Sequence, residues 1–150
     1  MAIPKSIFMK NVRVFTTAFV LLCSCLVFTR CTPDTTGLTP STEDVLIRNA
    51  WSVDYYYHNQ DLTNNFQSSK ILFSSAGAVG YIKDGVTVAG RWSKSVDASN
   101  NELITLQFST GDPNIEQLNK SWKLTDRTSS ALQFVETDGT TNILLRIKTQ

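Results

Sequence analysis

The most reactive side chains lie close to the start of the 150-residue chain. Its three cysteines are Cys23, Cys25 and Cys31, and no cysteine follows them. A disulfide framework would need cysteines spread through the folded part of the chain, so none is predicted there. A cysteine that ends a bacterial export signal can instead receive a lipid. The cysteine positions therefore favour acylation over a disulfide framework.

A leader with the composition of an export signal precedes and includes these cysteines. Lys5, Lys10 and Arg13 provide its positive charge, and residues 14–28 carry no charged side chain. This apolar stretch is shorter than the roughly 20 residues that span a membrane, which is typical of a secretory signal. Residues 1–31 are accordingly predicted to be a lipoprotein signal peptide.

Two cysteines compete for the lipid. Cys31 is followed by the polar, Thr- and Pro-rich residues 32–42, which suit a flexible tether, although Arg30 is unfavourable beside a cleavage point. Cys25 has better preceding residues, but it would leave the apolar residues 26–28 at the mature end. Cys31 is the predicted anchor, Cys25 is the alternative, and a signal cleaved without lipid is the third reading. The expected location is the cell envelope, in the outer membrane, with the domain facing the periplasm or the surface.

The chain offers few groups for catalysis. His58 is its single histidine, so a metal site with several imidazoles is excluded and a Ser-His-Asp triad would have to use this residue. An alternation that places Trp51 inside turns His58 outward, as a surface residue. The acidic residues fall mostly in turns, whereas a glycosidase needs two carboxyl groups across one cleft. No phosphate-binding loop or nucleophile elbow occurs. We expect no enzyme activity, no catalytic residue, no metal and no cofactor.

The charge of the mature part argues against nucleic acid as a partner. Without residues 1–31, ten basic and 13 acidic residues remain, and the formal charge is −3. A nucleic-acid-binding domain would present a basic stripe instead. Residues 43–150 are enough for one domain with a single core, and we expect a monomer.

Eight segments rich in strand-forming residues dominate this domain, bounded by Gly, Asn, Asp and Ser clusters. A helical turn is predicted before the first segment, and another between the fifth and sixth, where Pro113 can open a helix. The short turns leave no room for crossover helices, so neighbouring strands must run antiparallel. The predicted fold is all-β, an eight-stranded up-and-down barrel that leaves no exposed edge, with a two-sheet sandwich as the rival. The predicted strands are 50–59, 69–75, 78–83, 86–96, 102–109, 121–125, 131–137 and 142–148.

Several short segments, taken in order, resemble the lipocalin-like domain of small Bacteroidetes-type lipoproteins. They are Asn49-Ala50-Trp51-Ser52-Val53, residues 61–66, Ile71-Leu72-Phe73-Ser74, Gly90-Arg91-Trp92-Ser93 and residues 117–124. The sequence departs from such domains at Ala50, often Gly, and at Arg91, often a small residue. The resemblance implies an eight-stranded lipocalin-like barrel behind a lipidation signal. It implies no catalytic residues and no agreed ligand.

Large aromatic residues are the remaining candidates for a site, because a small barrel either fills its interior or leaves a pocket for one small ligand. Alternation places Tyr55 and Tyr57 at the pocket mouth and Tyr56 outside. The first hypothesis is a lipid-anchored, non-catalytic module that binds a small apolar molecule or a glycan-derived fragment at the open barrel end. The alternative is an envelope accessory protein with a filled barrel and a protein partner, and a hydrolase comes third. The predicted pocket residues are Trp51, Tyr55, Tyr57, Phe73, Tyr81, Trp92, Phe108, Trp122 and Phe134.

Overall fold

The computed structural model describes residues 39–137 and 142–150. The predicted signal peptide, both candidate anchor cysteines and residues 32–38 of the tether lie outside the described residues. Residues 40–150 form a compact unit of their own. In the described part of the chain, no helix combines the length and the apolar character needed to cross a membrane.

Eight antiparallel strands form a closed barrel in which each strand pairs with the next along the chain and β8 pairs with β1. The predicted all-β class, the strand number and the up-and-down order are confirmed, and the rival sandwich is wrong. Closure satisfies the backbone groups that an open sheet would leave at its two edges. The strands are β1 Ala50–His58, β2 Lys70–Phe73, β3 Ala78–Lys83, β4 Val86–Val96, β5 Glu102–Phe108, β6 Ser121–Arg127, β7 Ala131–Glu136 and β8 Ile143–Thr149.

Two glycines are required by the path of the third and fourth strands. Asp84 and Gly85 both have positive φ, 51° and 78°, which is the geometry of the tight hairpin turn that their sequence predicts. Gly90 lies where β4 comes close to β5, because a Cβ atom there would be 2.5 Å from the carbonyl oxygen of Gln107. The first glycine permits the turn, and the second permits the contact between two strands of the barrel wall.

A short helix, α1 (Thr42–Arg48), covers the barrel end at which the chain enters, which we call the entry end. Ser41 caps the helix: its hydroxyl accepts from the Asp44 N–H at 3.1 Å, and the Asp44 carboxylate accepts from the Ser41 N–H at 3.2 Å. Leu46 is fully buried, and its carbonyl oxygen accepts the indole N–H of Trp51 at 2.9 Å. The predicted helical turn before β1 is therefore confirmed.

Polar contacts also hold α1 to the barrel. The buried Thr42 hydroxyl donates to the Glu102 carboxylate and accepts from Arg127 Nη1 at 2.8 Å. Lys94 Nζ lies 2.8 Å from the same carboxylate. Burial raises the pKa of Glu102, but the hydrogen bonds from Lys94 and Thr42 outweigh it and leave the pKa below its ordinary value. Buried apolar side chains of α1 and the hydrogen-bonded group of Thr42, Glu102, Arg127 and Lys94 therefore close the entry end.

The opposite barrel end, which we call the far end, carries the connections after β1 and β5. A 3-10 helix, Thr63–Phe66, follows β1, and a second short helix, α2 (Pro113–Glu116), lies between β5 and β6 as predicted. Phe66 and Ile115 are buried, so both helices pack onto the core. The barrel interior is therefore covered at both ends by elements of the chain itself.

Candidate functional site

The first strand contains a β-bulge that decides which tyrosines face the core. Val53 pairs with Ile147 and Tyr55 pairs with Arg146, so Asp54 is an extra residue without a partner of its own on β8. A bulge shifts the side-chain alternation by one position. The inward position therefore passes from Val53 to Tyr56, and Tyr55 turns outward.

Two cations of β8 hold the side chain of the bulged residue. The Asp54 carboxylate accepts from Arg146 Nε at 2.6 Å and lies 2.7 Å from Lys148 Nζ. The hydrogen bond from Lys148, with the added contribution of Arg146, keeps the pKa of Asp54 below its usual value. These ion pairs join the two strands directly at the register shift.

Tyr56 is buried in the core, with 0% of its surface exposed. Its ring packs 5.0 Å from that of Phe66 and 6.4 Å from that of Trp122, and its hydroxyl donates to the Gln117 carbonyl at 3.4 Å. Burial, together with the negative charge of Glu136, raises its pKa to about 12. The prediction that Tyr56 faces outside and that Tyr55 and Tyr57 face a pocket mouth is wrong, because it assumed uninterrupted alternation through the bulge.

The other predicted pocket residues are core residues that fill the barrel. The internal void next to them has a volume of about 10 Å³ and is lined by apolar side chains such as Ile104 and Leu145. Ligand pockets have volumes of roughly 300–1,000 Å³, so this void holds no ligand. Of the two readings that the sequence left open, the structure supports the filled core. The buried members of the predicted set are Trp51, Phe73, Tyr81, Trp92, Phe108, Trp122 and Phe134.

A groove on the outside of the barrel has a volume of about 590 Å³, which is large enough for a ligand, unlike the interior void. One row of side chains crosses four strands at its base: Tyr57 pairs with Leu144, Leu144 with Val135, and Val135 with Lys123. Because side chains alternate along a strand, this row faces opposite to the buried Phe134 and Leu145. We call this feature the outer groove; its residues are Tyr55, Tyr57, Lys123, Val135, Glu136, Asn142, Ile143 and Leu144.

The two outward tyrosines form the aromatic part of the outer groove. The ring planes of Tyr55 and Tyr57 lie within 18° of each other, and their centroids are 6.5 Å apart. Both residues are half-buried, so part of each ring is open to solvent. The bulge turns both rings outward, because Tyr55 and Tyr57 both follow Asp54 along the strand.

Polar groups of both signs border the outer groove. The Glu136 carboxylate, only 6% exposed, lies 2.5 Å from Lys120 Nζ in an ion pair. Lys123 contributes a second cation, and Asn142 an exposed carboxamide. Tyr57, Lys123 and Asn142 all lie near the far-end termini of their strands or just beyond them. The outer groove is therefore displaced from the entry end, where α1 lies.

Two further surface depressions occur on the described part of the barrel. One, of about 470 Å³, lies between the β3–β4 hairpin and α2 and includes Val86, Val88 and Ile115. The other, of about 350 Å³, lies around Arg91 and Trp92. Of the predicted pocket residues they contain Tyr81 and Trp92, whose side chains are buried. Neither has an exposed aromatic pair.

The titratable residues discussed from the sequence have structural partners. His58 follows the bulge and pairs with the buried Ile143, so it lies on the inward-facing side of β1, and the prediction that it turns outward is wrong. The residue is half-buried, and its backbone N–H donates to the Gln60 carbonyl at 2.9 Å. Hydrogen bonds from the Thr63 side chain and backbone N–H lower the pKa of Asp61, and a hydrogen bond from the Asn101 side chain lowers that of Asp97. Asp112 caps α2. Within residues 39–137 and 142–150, no three His, Cys, Asp or Glu side chains are grouped to hold a metal ion.

Comparison with known proteins shows a similarity of fold. No family model and no curated protein matches this chain. A solved structure does match: it is a DUF4847 family protein from Bacteroides vulgatus. The two proteins share 14% sequence identity over 73% of this chain and 98% of the other, with a TM-score of 0.55. This likeness concerns the fold alone, and it agrees with the barrel that the sequence resemblance implied.

Proposed function

We propose that this chain is a lipid-anchored, non-catalytic binding protein of the cell envelope that contacts its ligand through the outer groove. The observation that carries the proposal is the contrast in volume, about 10 Å³ inside the barrel against about 590 Å³ outside it. A barrel that bound a ligand internally would need an interior of the larger size. The small-molecule site is therefore moved from the interior, where the sequence hypothesis placed it, to the outer face.

An apolar dye tests the interior directly. We expect 1-aminoanthracene, a probe for apolar barrel cavities, to bind no interior site, because the void cannot hold its three fused rings. An unrelated barrel protein with an apolar cavity of about 300 Å³ or more is the positive control, since such a cavity can hold the dye. Stoichiometric dye fluorescence with the natural chain, quenching its buried tryptophans, would contradict a filled interior.

The lipid anchor is supported by the sequence of residues 1–42. A charged flank, an uncharged apolar segment and a cysteine occur in the order that an export signal requires, and a polar segment follows Cys31. The chain then enters the barrel at α1, while the outer groove lies toward the far end.

Matched cysteine variants test the anchor. We expect intact-mass analysis of the membrane fraction to show a diacyl or triacyl group on Cys31, and Cys31→Ser to move the protein to the soluble fraction. Cys25→Ser is the control and should leave the protein in the membrane. Loss of membrane association with Cys25→Ser instead would assign the anchor to Cys25, and an unlipidated mature protein would contradict the anchor.

Non-catalytic binding is supported by the groove's titratable groups. Among the described residues that line it, Glu136 is the one carboxylate, and it is ion-paired with Lys120. Glycoside hydrolysis by the usual mechanisms requires two carboxyl groups on opposite sides of the bond. We expect no hydrolysis of chromogenic glycosides or esters, and turnover that disappears with Glu136→Gln would contradict this part of the proposal.

The second candidate is an envelope accessory protein that uses the filled barrel as a scaffold for a protein partner. The filled interior favours it over interior ligand binding. In the described part of the chain, the exposed large apolar residues are Leu72 on β2 and Val86 and Val96 at the two ends of β4. Since these three do not lie together, the outer groove remains the better-supported contact surface.

A further inference from the structure

We infer that the outer groove binds a neutral, polyhydroxylated ligand, an oligosaccharide segment, with Tyr55 and Tyr57 against the sugar rings. This inference rests on the proposed function and names the ligand class for the same site. A sugar ring has C–H groups on its faces and hydroxyl groups around its edge. It therefore matches a surface on which half-exposed aromatic rings and hydrogen-bonding side chains lie side by side.

The border of the groove supplies hydrogen-bonding groups of the kinds that hydroxyls need. A sugar hydroxyl both donates and accepts, and the tyrosine hydroxyl and the asparagine carboxamide do the same. Tyr55, Tyr57 and Asn142 provide such groups, and Lys123 adds a donor. A ligand that carried only donors or only acceptors would leave part of this set unmatched.

The charges of the groove favour an uncharged ligand over an ionic one. Among the described residues that line it, one carboxylate, Glu136, which is paired with Lys120, and one cation, Lys123, form no cluster of a single sign. The mature chain as a whole has a formal charge of −3, which repels anions at long range. Recognition of an anionic polymer would need several convergent cations, as in phosphate- or carboxylate-binding sites.

Two other ligand classes fit the geometry less well. An apolar small molecule is usually buried over 70–90% of its surface, whereas the outer groove is open along the face of the sheet. An extended peptide usually adds as a strand to a free sheet edge, but the groove lies on the face of β1, β8, β7 and β6, whose edges are paired within the closed barrel. An open groove on a sheet face suits one side of a chain-like ligand whose other side stays in solvent.

The tyrosines also have a stable geometry before any ligand binds. They lie two residues apart on one strand, behind a bulge that the Asp54 ion pairs hold in register. Their ring planes are within 18° of parallel in the protein alone. A prearranged aromatic pair reduces the ordering cost of binding, since few side-chain torsions are lost.

Calorimetric titration of the full-length chain in detergent micelles tests the ligand class. The probes are four neutral hexasaccharides (cellohexaose, chitohexaose, xylohexaose and mannohexaose), anionic hexagalacturonic acid, and the fatty acid palmitate. We expect at least one neutral hexasaccharide to bind with a Kd of about 1 mM or lower, and the anion and palmitate not to bind. Absence of binding by all four neutral probes would overturn the inference.

Alanine variants place the binding site. Tyr55→Ala and Tyr57→Ala should each weaken binding of the neutral probe about tenfold or more, as expected for the loss of a main aromatic contact. Val86→Ala, which alters an exposed residue near the other depression, is the matched control and should change the Kd less than about twofold. Circular dichroism confirms that each variant is folded. Unchanged binding in both tyrosine variants would overturn the assignment.

The outcomes separate this inference from the proposed function. Binding of hexagalacturonic acid or palmitate that is lost with Tyr57→Ala would keep the outer groove as the binding site and overturn the neutral-sugar class. The lipid anchor is measured independently by the mass of the membrane form. A failed anchor would therefore leave the binding result intact, and a failed binding result would leave the anchor intact.

Discussion

The inner and outer faces of the same four strands, β1, β8, β7 and β6, carry similar residue types with different consequences. On the inner face, Tyr56, Leu145 and Phe134 are almost completely buried in a core without ligand-sized space. On the outer face, the adjacent Tyr57, Leu144 and Val135 are half-buried beside a large open groove. Residue type alone therefore does not tell the core from the candidate site.

The difference between the two faces arises from backbone geometry. One extra residue, Asp54, reverses the alternation in β1, so one tyrosine enters the core and its two neighbours leave it. A second register shift in β6, between Leu124 and Asp126, occurs beside β7 on the same side of the barrel. Bulges commonly re-aim side chains in this way, and here the result is an aromatic surface in place of an aromatic cavity.

The largest effect should come from truncating a core ring next to an outer side chain. We expect Phe134→Ala to lower the free energy of unfolding by about 3–5 kcal/mol, since it leaves a cavity in a close-packed interior. Val135→Ala, its neighbour on the outer face, should cost less than about 1 kcal/mol. Urea denaturation measures both. Equal losses for the two variants would mean that the faces are not distinct in the way described.

Replacing two strand glycines with alanine should have a smaller effect on stability, and it tests the contact between neighbouring strands of the barrel wall. A methyl group at Gly90 would lie 2.5 Å from the Gln107 carbonyl and 2.9 Å from the Phe108 Cα, whereas one at Gly80 would lie 3.9 Å from the Thr87 methyl. We expect Gly90→Ala to destabilise by about 1–3 kcal/mol through overpacking and Gly80→Ala to be close to neutral. Thermal unfolding compares them, and a neutral Gly90→Ala would contradict the close approach of β4 and β5.

Sequence alone predicts most of the fold but not the site. Short alternating segments, the Asp84-Gly85 turn and the helical turn at Pro113 are local signals, and each is confirmed. The predicted orientation of the tyrosine side chains is wrong because three tyrosines in a row, Tyr55 to Tyr57, fit an alternating pattern in either phase. The bulge that selects the phase depends on pairing between β1 and β8, which are far apart in sequence. Asp54 beside the run was the one available signal, since a charged residue there can pair with β8 cations.

The helix cap at the entry end should show a loss of about 1 kcal/mol. Ser41→Ala removes the side-chain acceptor of the capping box and should destabilise the domain by roughly that amount. Because α1 covers the interior and lies away from the outer groove, the variant should leave binding at the groove unchanged. Chemical denaturation and the hexasaccharide titration measure the two properties, and a loss of binding without a loss of stability would contradict this separation.

The smallest expected effect concerns the ion pairs at the bulge, which are partly exposed. Asp54→Asn should lower stability at pH 7 by about 0.5–1 kcal/mol, because solvent screens the pairs with Arg146 and Lys148. The pKa of Asp54 is lowered in the folded state, so its contribution is present above the unfolded pKa and is lost as pH falls through the folded pKa. The difference from the natural chain should therefore shrink below about pH 4. A constant difference from pH 7 to pH 2 would contradict this origin.

The most direct test of the two-face account is the free energy of unfolding of three single variants, Tyr55→Ala, Tyr56→Ala and Tyr57→Ala, measured side by side in urea. We expect Tyr56→Ala to lower the free energy of unfolding by about 3–5 kcal/mol and each of the other two variants to lower it by less than about 1 kcal/mol. The opposite pattern, with large losses for Tyr55→Ala and Tyr57→Ala and a small one for Tyr56→Ala, would show that alternation runs unbroken through β1. In that case the two tyrosines would belong to the interior, and the outer groove would lose its aromatic pair.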